Sequence, residues 1–418
     1  MKQTITVLGM GYIGLPTALL LASADNIVYG FDVNQERINF LKKGKLPFEE
    51  KGLNELFDEV KRVGTFHLVS QIHPADIFII AVPTPQENGE ADLTFVLKAI
   101  DEIGKVLKDG DTIVVESTVG PVDCEKRIIP YLERLERKFH FASCPERAIP
   151  GNTLYEMVNN ARVVGGLTEE DSAYVKGIYS SFVKGEIYTT TPTIASTCKV
   201  MENTYRNVNI ALADTFVKIA DEIGFNVWEA IELANKHPRV NIHQPGPGVG
   251  GHCIPIDPWF FAALSKHSQF IVKALNINNQ MPEYVVDQLE KIIRQNNLLE
   301  PVIGVLGFAY KKNIDDARET PSKEILDLLK EKFTVILNDP YVKQAPHPLQ
   351  CLEELLKEAE VVVLTTDHDE YKNIRFSDYP NIKIVYDTRN LFISDNIKDS
   401  LVKLYKMGVG MDENPYSN

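Results

Sequence analysis

The first 190 residues alternate short apolar, β-branched runs with segments whose pattern suits helices. The predicted elements, in chain order, are a strand at 4–9, a helix at 15–24, strands at 27–32 and 77–82, a helix at 94–107, a strand at 112–116, a helix at 124–138 and a strand at 162–165. Alternation of this kind is typical of a parallel, doubly wound sheet, so an α/β domain is expected.

The pattern changes at about residue 194. Residues 195–222 contain no glycine or proline and carry apolar residues at helical spacing, which predicts one long helix. Further elements are then predicted in this order: a helix at 227–236, an irregular Gly/Pro-rich segment at 237–258, a helix at 282–295, a strand at 301–307, a helix at 320–332, a strand at 334–337, a helix at 349–358, and strands at 361–365 and 382–387. We therefore expect an α/β domain at 1–190, a central helical domain at 191–297 and a second α/β domain at 298–418, with a frayed end at 408–418.

The composition is that of a globular protein, with 44% hydrophobic and 24% charged residues over 418 positions. A net charge of -14 disfavours nucleic acids and anionic membranes as partners, because the average field repels polyanions. Five cysteines without a C-x-x-C pair suit neither a disulfide framework nor a zinc site, so no metal is expected. The first strand begins at Thr4 and no apolar run is long enough to span a membrane, which predicts a cytoplasmic protein without a signal peptide.

A dinucleotide-binding pattern, Gly9-x-Gly11-x-x-Gly14, follows the first predicted strand and opens a helix. Glycines at these positions permit a tight turn and a close approach to a pyrophosphate at the helix N-terminus. Asp32 ends the second strand, where a carboxylate binds ribose hydroxyls and repels a 2′-phosphate, so NAD is favoured over NADP. The alternatives are a glycine turn that only packs helix on strand and an aspartate that only serves a turn.

Loops at the ends of later strands are expected to complete the cofactor site, because such loops line the crevice of a doubly wound sheet. These are Val82-Pro83-Thr84-Pro85 and Glu116-Ser117-Thr118, each of which could equally be ordinary turn chemistry. The cofactor residues expected in all are Gly9, Gly11, Tyr12, Ile13, Gly14, Asp32, Arg37, Pro83, Thr84, Ser117, Thr118 and Arg318.

Cys253 follows the glycine-rich run Gly246-Pro-Gly-Val-Gly-Gly-His252, and Asp257 lies four residues later. An isolated cysteine is usually a small buried hydrophobe, but this one emerges from an irregular loop in a chain that also has a dinucleotide site. A Cys–His metal site is a poor alternative, since no other cluster supplies the remaining ligands, and His252 is interpreted as structural.

A cysteine near NAD has a specific chemical meaning. Oxidation of an alcohol gives an aldehyde, and a thiolate that adds to it allows a second hydride transfer to a thioester, which water hydrolyses to the acid. Such a scheme needs a base for the water and a cation for the oxygen. Glu146, in Cys144-Pro-Glu-Arg147, is the candidate base, and Lys199, one helical turn from Asn203, is the candidate cation. Taken singly, each is better explained by a surface salt bridge or a cap than by catalysis, and the interpretation depends on the combination.

These segments resemble the UDP-glucose/GDP-mannose dehydrogenase family over nearly the whole chain. The carrying motifs are Gly9-Met-Gly-Tyr-Ile-Gly14, Val82-Pro-Thr-Pro85, Glu116-Ser-Thr118, Cys144-Pro-Glu-Arg147, Lys199-Val-Met-Glu-Asn203, Gly248-Val-Gly-Gly-His-Cys253 and Gly307-Phe-Ala-Tyr-Lys311. The resemblance implies an NAD-binding Rossmann domain, a central helical dimerisation domain and a Rossmann-like domain for the UDP moiety. It also implies oxidation of a C6 hydroxyl to a carboxylate by two NAD in a homodimer.

The resemblance assigns roles to individual residues. Cys253 is similar to the family's nucleophile and Glu146 to its water-activating residue, while Lys199 and Asp257 handle the C6 oxygen that Asn203 and Thr118 position. Arg239 corresponds to an arginine that reaches the sugar across the dimer interface. The substrate residues implied in all are Arg147, Lys199, Asn203, Arg206, Arg239, Gly250 and Lys311.

The identity of the sugar depends on the residues that flank the cysteine. The run from His237 to Cys253 and the ending Asp257-Pro-Trp259 resemble the branch that oxidises UDP-N-acetyl-D-mannosamine. Ile254-Pro255 is closer to the UDP-N-acetylglucosamine branch, which makes that sugar the alternative, followed by UDP-glucose. Two other classes of protein are alternatives. A 2-hydroxyacid dehydrogenase needs neither this cysteine nor a third domain. In a non-catalytic nucleotide-sugar sensor, Cys253, Glu146 or Lys199 is expected to be replaced, and all three are present.

Overall fold

The computed structural model describes residues 2–87 and 89–410. The strands are β1 (Thr4–Leu8), β2 (Ile27–Phe31), β3 (Phe66–Val69), β4 (Ile77–Ile80), β5 (Gln86–Glu87), β6 (Glu90–Ala91), β7 (Asp111–Val115), β8 (Phe139–Ser143), β9 (Arg162–Gly166), β10 (Ile187–Thr190), β11 (Ile303–Leu306), β12 (Val335–Asn338), β13 (Val361–Leu364), β14 (Ile384–Asp387) and β15 (Lys403–Lys406).

The helices are α1 (Gly14–Ser23), α2 (Gln35–Lys42), α3 (Leu53–Val63), α4 (Thr94–Gly104), α5 (Ile129–Glu133), α6 (Thr153–Asn159), α7 (Glu169–Tyr179), α8 (Pro192–Ile223), α9 (Val227–Ala234), α10 (Pro258–Leu264), α11 (Gln269–Asn279), α12 (Met281–Gln295), α13 (Pro321–Lys330), α14 (Leu352–Glu358) and α15 (Ser394–Ile397). A π-helical turn at Cys124–Ile128 leads into α5, and 3₁₀ turns lie at Asp369–Asn373 and Phe376–Asp378.

The chain forms two compact units. The first contains the residues up to Asn203 together with Trp259–Lys266, and the second contains Thr204–Pro258 and the chain from His267 onwards. The predicted three-domain division, with boundaries after residues 190 and 297, is finer than this and stays a prediction.

The first unit is built on an eight-stranded sheet in the order β10-β9-β8-β7-β4-β1-β2-β3. Its neighbouring strands are parallel except β8 and β9, so the expected doubly wound α/β sheet is confirmed with one antiparallel pair. The central strand β4 is completely buried, because helices cover both faces of such a sheet, and this explains its unbroken apolar run. The sheet order reverses direction at β1, and the crevice of such a fold lies beside that strand.

The second unit carries a five-stranded parallel sheet in the order β12-β11-β13-β14-β15. Apolar side chains of α8, α9 and α12, such as Val217, Trp228 and Leu289, form one core with Ile303 and Val305 of β11. The helical middle of the chain and the second sheet therefore share a hydrophobic core.

Three predictions from the pattern need correction. The helix expected at 124–138 is a π-helical turn followed by the short α5, since Pro130 has no N–H to continue the α-helical ladder. Edge strands β3, β10 and β15 have no counterpart in the predicted elements. The expected fraying is wrong for 408–410, because the N–H groups of Gly408 and Gly410 donate to Asp221 at 2.9 and 3.1 Å. The remainder of that prediction, 411–418, lies outside the described residues.

Candidate active site

A glycine turn joins β1 to α1 in the first unit. Gly9 has a φ of +100°, and a Cβ there would collide with the carbonyl oxygen of Ala81 in the loop after β4. A Cβ at Gly14 would collide with the carbonyl oxygen of Gly9, so this glycine lets α1 start close to the strand. A Cβ at Gly11 would meet no atom of the described residues within 4 Å, which leaves that side open. The turn therefore fits a pyrophosphate at the N-terminus of α1.

Asp32 connects this turn to the end of β2. Its nearly buried carboxylate accepts hydrogen bonds from the backbone N–H of Met10 and of Asn34, both at 2.8 Å. The guanidinium of Arg37, which is 36% exposed, donates to the same carboxylate at 2.8 Å. The predicted cofactor residues Asp32 and Arg37 are thus in contact, and Asp32 also serves the turn.

The two residues between the second and third glycines belong to the turn itself. The ring of Tyr12 stacks on that of Phe48, with 4.1 Å between the ring centroids. Ile13 directly precedes the first residue of α1, and its carbonyl oxygen accepts from the N–H of Thr17. Both therefore help to hold the turn in shape.

The loops after β4 and β7 are tied to each other by hydroxyl groups. Ser117 accepts a hydrogen bond from the N–H of Val82 at 2.9 Å and donates to the Val82 carbonyl oxygen at 2.7 Å. Thr84 donates to the carbonyl oxygen of Thr118 at 2.5 Å. Pro83, which lies between Val82 and Thr84 in the sequence, is exposed. The hydroxyls of Ser117 and Thr84 are thus used to join the loops, while the Thr118 side chain is half-buried.

A buried group of charges lies behind these loops. The carboxylate of Glu116, at the end of β7, accepts from Arg162 at 2.9 Å, from the Tyr179 hydroxyl at 3.2 Å and from the Thr17 hydroxyl at 2.8 Å. The Arg162 guanidinium also lies over the Tyr179 ring, 4.3 Å from its centroid. The sequence pattern gave no sign of this cluster, because its members come from four separate elements.

Glu146, the predicted base, belongs to the same cluster. One of its carboxylate oxygens accepts from the N–H of Arg147 at 2.6 Å and from that of Ala148 at 2.9 Å, and the other forms an ion pair with Arg162. Its side chain is only 6% exposed. The carboxylate is therefore held in one orientation, with its charge opposed by a buried guanidinium.

Lys199 and Asn203 lie one turn apart on α8, and both are buried. Arg147 reaches the same helix, since its guanidinium donates to Glu202 at 3.0 Å as well as to the carbonyl oxygen of Ala161 at 2.6 Å. The Glu146–Arg147 loop and the Lys199–Asn203 segment are therefore neighbours within the first unit.

Cys253 lies in a turn of the second unit, immediately before α10. Its carbonyl oxygen accepts from the N–H of Ile256 at 3.1 Å and from that of Asp257 at 2.9 Å. The Cys253 residue is exposed, whereas Asp257 is buried. The turn therefore presents a thiol at the surface of its unit and fixes a carboxylate one turn away.

The other cysteines show what distinguishes Cys253. Cys124 and Cys144 are buried, and burial raises the pKa of each thiol to about 11, so neither is a ready nucleophile. Cys198 is half-buried on α8 and Cys351 is exposed. The usual role of a cysteine as a small buried hydrophobe thus applies to Cys124 and Cys144 but not to Cys253.

The glycines before Cys253 pack against the loop after β11. A Cβ at Gly250 would lie 2.6 Å from the Cβ of Tyr310, and one at Gly251 would lie 3.1 Å from its ring. The N–H of Gly251 donates to the carbonyl oxygen of Arg318 at 3.1 Å, and the Arg318 guanidinium forms two hydrogen bonds with Asp316. Gly250 therefore has a packing role, and Arg318 is part of the unit that carries the cysteine.

Several predicted residues surround the phenol of Tyr310, a residue that the sequence analysis did not single out. Burial raises the pKa of Tyr310, and the charges of Asp316, Arg318, Cys253 and Arg206 act on it as well. Lys311 follows in the same loop and is half-buried, whereas Arg239 is exposed. The structure thus groups Arg206, Cys253 and Arg318, and leaves Arg239 on the surface.

A cavity opens where the second sheet reverses direction, between the loops after β11 and β13. Its lining includes Pro247, Gly248, Thr320, Thr365, Asp367 and Arg389. Arg389 donates to Asp367 at 3.2 Å. Ligands of open α/β sheets bind at such switch points, so this is the expected place for a nucleotide. The sequence pattern did not single out these residues, although Thr365 ends one predicted strand and Asp367 and Arg389 lie just after predicted strands.

The three segments of the chain match the three models of one protein family. Residues 3–183 match the NAD binding domain of the UDP-glucose/GDP-mannose dehydrogenase family, 193–281 match its central domain and 304–394 match its UDP binding domain. This chain belongs to the UDP-glucose/GDP-mannose dehydrogenase family. The predicted membership is therefore confirmed.

Named relatives are similar over almost their whole length. The chain is 44% identical to the UDP-N-acetyl-D-mannosamine dehydrogenase of Methanococcus aeolicus over 92% of this chain and 91% of that one. It is 39% identical to the NDP-N-acetyl-D-galactosaminuronic acid dehydrogenase of Ralstonia nicotianae, over 94% and 97%. The solved structure of the UDP-D-ManNAc dehydrogenase of Pyrococcus horikoshii superimposes with a TM-score of 0.91 at 36% identity, covering 97% and 99%.

Membership assigns a cofactor and a substrate class to the two crevices. The NAD binding domain of the family contains the glycine turn and Asp32, and its UDP binding domain contains the loops after β11, β13 and β14. This member of the UDP-glucose/GDP-mannose dehydrogenase family is an NAD-dependent nucleotide-sugar dehydrogenase that acts on a UDP-sugar. Cys253 falls within the central domain.

Within residues 2–87 and 89–410, none of the helices is both long and apolar enough to cross a membrane. In the same ranges, no group of three or more His, Cys, Asp and Glu side chains is arranged to hold a metal ion.

Proposed function

We propose that this enzyme oxidises the C6 hydroxyl of UDP-N-acetyl-D-mannosamine to the carboxylate, with two NAD per sugar and Cys253 as the covalent nucleophile. The observation that carries the proposal is the exposed thiol of Cys253 at the end of a glycine-rich loop, in a chain that is 44% identical to a UDP-N-acetyl-D-mannosamine dehydrogenase. Cys253 is exposed, whereas Cys124 and Cys144 of the same chain are buried.

The first oxidation needs a base for the hydroxyl proton and a cation beside the oxygen. When bound, NAD would supply the hydride acceptor for each of the two oxidations. We assign the C6 oxygen to the buried residues Lys199 and Asp257, with the Asp257 carboxylate accepting the hydroxyl proton and Lys199 beside the oxygen. Asn203 and Thr118 position the same oxygen, and the aldehyde that results keeps one hydrogen on C6.

The second oxidation requires a covalent step. The Cys253 thiolate adds to the aldehyde carbon to form a thiohemiacetal, and loss of the remaining C6 hydride converts this adduct to a thioester. Water then adds to the thioester carbon, Glu146 accepts a proton from that water, and the thiolate leaves as the acid forms. The ion pair with Arg162 and the N–H groups of Arg147 and Ala148 fix the orientation of the Glu146 carboxylate, which supports its role at one place in the site.

Binding of the nucleotide sugar is assigned to basic residues that offset the acidic average charge. Arg147, Arg206 and Lys311 are at least partly buried, as suits contacts with a bound ligand. Gly250 permits close approach of the loop, and we place Arg318 with the cofactor. The uridine diphosphate belongs in the cavity lined by Thr365 and Arg389.

A homodimer is part of the proposal. Met201, Tyr205, Leu212 and Ile219 are exposed apolar residues of α8, and their spacing of four and seven places them on one face of the helix. A second copy of the chain would cover this face, and Arg239 of one protomer would reach the sugar of its partner. Sedimentation should show a dimer that Leu212→Arg weakens and that Phe40→Arg, at an exposed position on α2, leaves intact.

The experiment that tests the function is a panel of UDP-sugars that differ only in configuration or substituent at C2 and C4. UDP-N-acetyl-D-mannosamine should give the highest kcat/KM and two NADH per sugar consumed. The resemblance to the Ralstonia enzyme makes UDP-N-acetylgalactosamine a second candidate, and the sequence near Ile254 adds UDP-N-acetylglucosamine and then UDP-glucose. One NADH per sugar would contradict the acid-forming mechanism, and preference for another sugar would correct the substrate alone.

A further inference from the structure

Two buried side chains on α8 hold opposite ends of the segment that leads to Cys253. Asp214 accepts a hydrogen bond from the backbone N–H of Gly246 at 3.0 Å, and Asn207 donates to the carbonyl oxygen of Ile254 at 3.1 Å. Both side chains are fully buried. They are seven residues apart, or about two helical turns, and therefore lie on the same face of α8.

The downstream contact is itself supported from a second helix. Asn278 of α11, which is also buried, donates to the backbone carbonyl oxygen of Asn207 at 3.0 Å. The carbonyl that Asn207 holds belongs to Ile254, the residue next to Cys253. Any shift of this contact would therefore move the peptide unit attached to the cysteine.

The segment between the two contacts has little rigidity of its own. Gly248 and Gly251 adopt φ of +130° and +84°, and residues 246–251 contain neither helix nor strand. Glycines carry the largest conformational entropy in an unfolded loop, so an ordered position must be enforced from outside. The polar contacts from α8 supply such a constraint at both ends.

We propose that Asn207 and Asp214 are positioning residues that set the place of the Cys253 thiol through the ends of its loop. This inference rests on the proposed role of Cys253 as the nucleophile. Neither side chain needs to touch the substrate, because each acts through a backbone group of the loop. A nucleophile displaced by about 1 Å can lose two orders of magnitude in rate, so such a constraint matters for catalysis.

The environment of Asp214 makes its contact sensitive to pH. Burial raises the pKa of Asp214 to about 7, although the N–H of Gly246 and the charges of Arg389 and Lys218 act in the opposite direction. Its second carboxylate oxygen has no hydrogen-bond partner within the described chain. Since this pKa lies above the ordinary value of 3.8, the contribution of Asp214 to stability is complete below that value and is lost as the pH rises through about 7.

Hydrogen exchange of the loop tests the constraint without reference to turnover. In Asn207→Leu and Asp214→Leu, the amides of residues 246–257 should exchange at least about tenfold faster, because a closing contact is absent. Asp214→Asn keeps an acceptor for the Gly246 N–H and should restore slow exchange. Thr215→Val is the matched control, since the Thr215 hydroxyl donates within α8, to the carbonyl oxygen of Ala211.

Steady-state kinetics show whether the constraint serves the reaction. Both leucine variants should lose about tenfold or more in kcat with KM for NAD unchanged, and Asp214→Asn should recover most of the kcat. The protection factors of the loop amides, which are corrected for the intrinsic pH dependence of exchange, should change near pH 7 in the wild type and not in Asp214→Asn.

The outcomes separate this inference from the proposed function. Unchanged exchange in both leucine variants would overturn the constraint, and faster exchange with wild-type kcat would overturn its role in catalysis. If a leucine variant does not fold, the protection factors of the loop in Asp214→Asn decide, and a change in them near pH 7 as large as in the wild type counts against the inference. Full turnover by Cys253→Ser would instead refute the nucleophile, while the exchange results would still describe the loop.

Discussion

The two sheets of this enzyme begin with the same turn and use it differently. In each, a glycine with a φ of +100° ends the first strand, Gly9 after β1 and Gly307 after β11. In each, an aspartate after the second strand accepts N–H bonds from the residues just beyond this glycine. Asp32 accepts from Met10, and Asp339 accepts from Phe308 and Ala309 at 2.6 and 2.8 Å.

The two units differ in the chain segment that comes after each turn. After Gly9 the helix α1 begins within five residues, and Asp32 pairs with the partly exposed Arg37. After Gly307 the chain runs as a loop to α13, which starts at Pro321, and the fully buried Asp339 pairs with the equally buried His368. One strand-and-turn geometry therefore gives a helix N-terminus for a pyrophosphate in one unit and an internal structural contact in the other.

The largest effect on the difference between the two units is expected at Cys253, the proposed nucleophile. Cys253→Ser should lower turnover by about 10³-fold or more, because a serine hydroxyl is not ionised like a thiolate at neutral pH. NAD binding, a property of the first unit, should stay unchanged in calorimetric titrations. NADH formation in excess NAD and UDP-sugar measures the loss.

Cys351→Ser is the matched control, since Cys351 is the other exposed cysteine and lies in the second unit far along the sequence. This variant should keep wild-type turnover. Equal activity of Cys253→Ser and the wild type would remove the thioester from the mechanism.

The first unit is expected to contribute more than NAD binding, and Glu146 tests this. Glu146→Gln should slow hydrolysis of the thioester by about 10²-fold, because an amide cannot accept the proton of water. Intact-mass spectrometry during turnover should then show the sugar attached to Cys253. Turnover at the wild-type rate, or a slow variant without any adduct, would argue that Glu146 only holds its loop.

We expect Asp339 to contribute to the stability of the second unit and not to the binding of NAD. Burial alone would raise the pKa of Asp339, but the hydrogen bond and charge of His368 and the backbone N–H groups of Val342 and Ala309 lower it to about 2. The stabilisation is therefore complete above the ordinary value of 3.8 and is lost as the pH falls toward 2. Asp339→Asn should reduce the free energy of unfolding of the second unit at pH 7 by about 3 kcal/mol.

Calorimetric unfolding of this variant at pH 7 measures the change, and KM for NAD provides the control. An unaltered unfolding temperature would show that the buried pair adds nothing to stability. A raised KM for NAD would mean that the two turns are more alike in function than their surroundings indicate.

The sequence predicted the sheet centres and the Gly9 turn well, for physical reasons. Central strands such as β4 are buried on both faces and give unbroken apolar runs, whereas the edge strands β3, β10 and β15 are partly exposed and give no such run. Glycines at Gly9 and Gly14 are demanded by collisions within the protein, so their spacing is visible in the sequence.

The parts that the sequence could not predict are contacts between residues far apart in the chain. Arg162 joins Glu116 and Glu146 inside the first unit, and Asp214 holds Gly246 inside the second. The residues next to Arg162 and Asp214 in the sequence form no recognisable motif. The partners come together only in the folded chain. Glu146 is recognisable from its loop motif, but its buried counter-charge is not.

The smallest effect in this comparison is expected at Asp32. Asp32→Asn keeps an acceptor for the Met10 N–H but removes the charge that we expect to favour ribose hydroxyls and to repel a 2′-phosphate. Loss of charge-assisted hydrogen bonds of this kind weakens binding by about tenfold or more, so KM for NAD should rise by about that factor. The preference for NAD over NADP should fall at the same time, while thermal unfolding changes little. If instead Asp32→Asn destabilised the first unit as Asp339→Asn does the second, with KM unchanged, both aspartates would be structural and NAD selectivity would come from elsewhere.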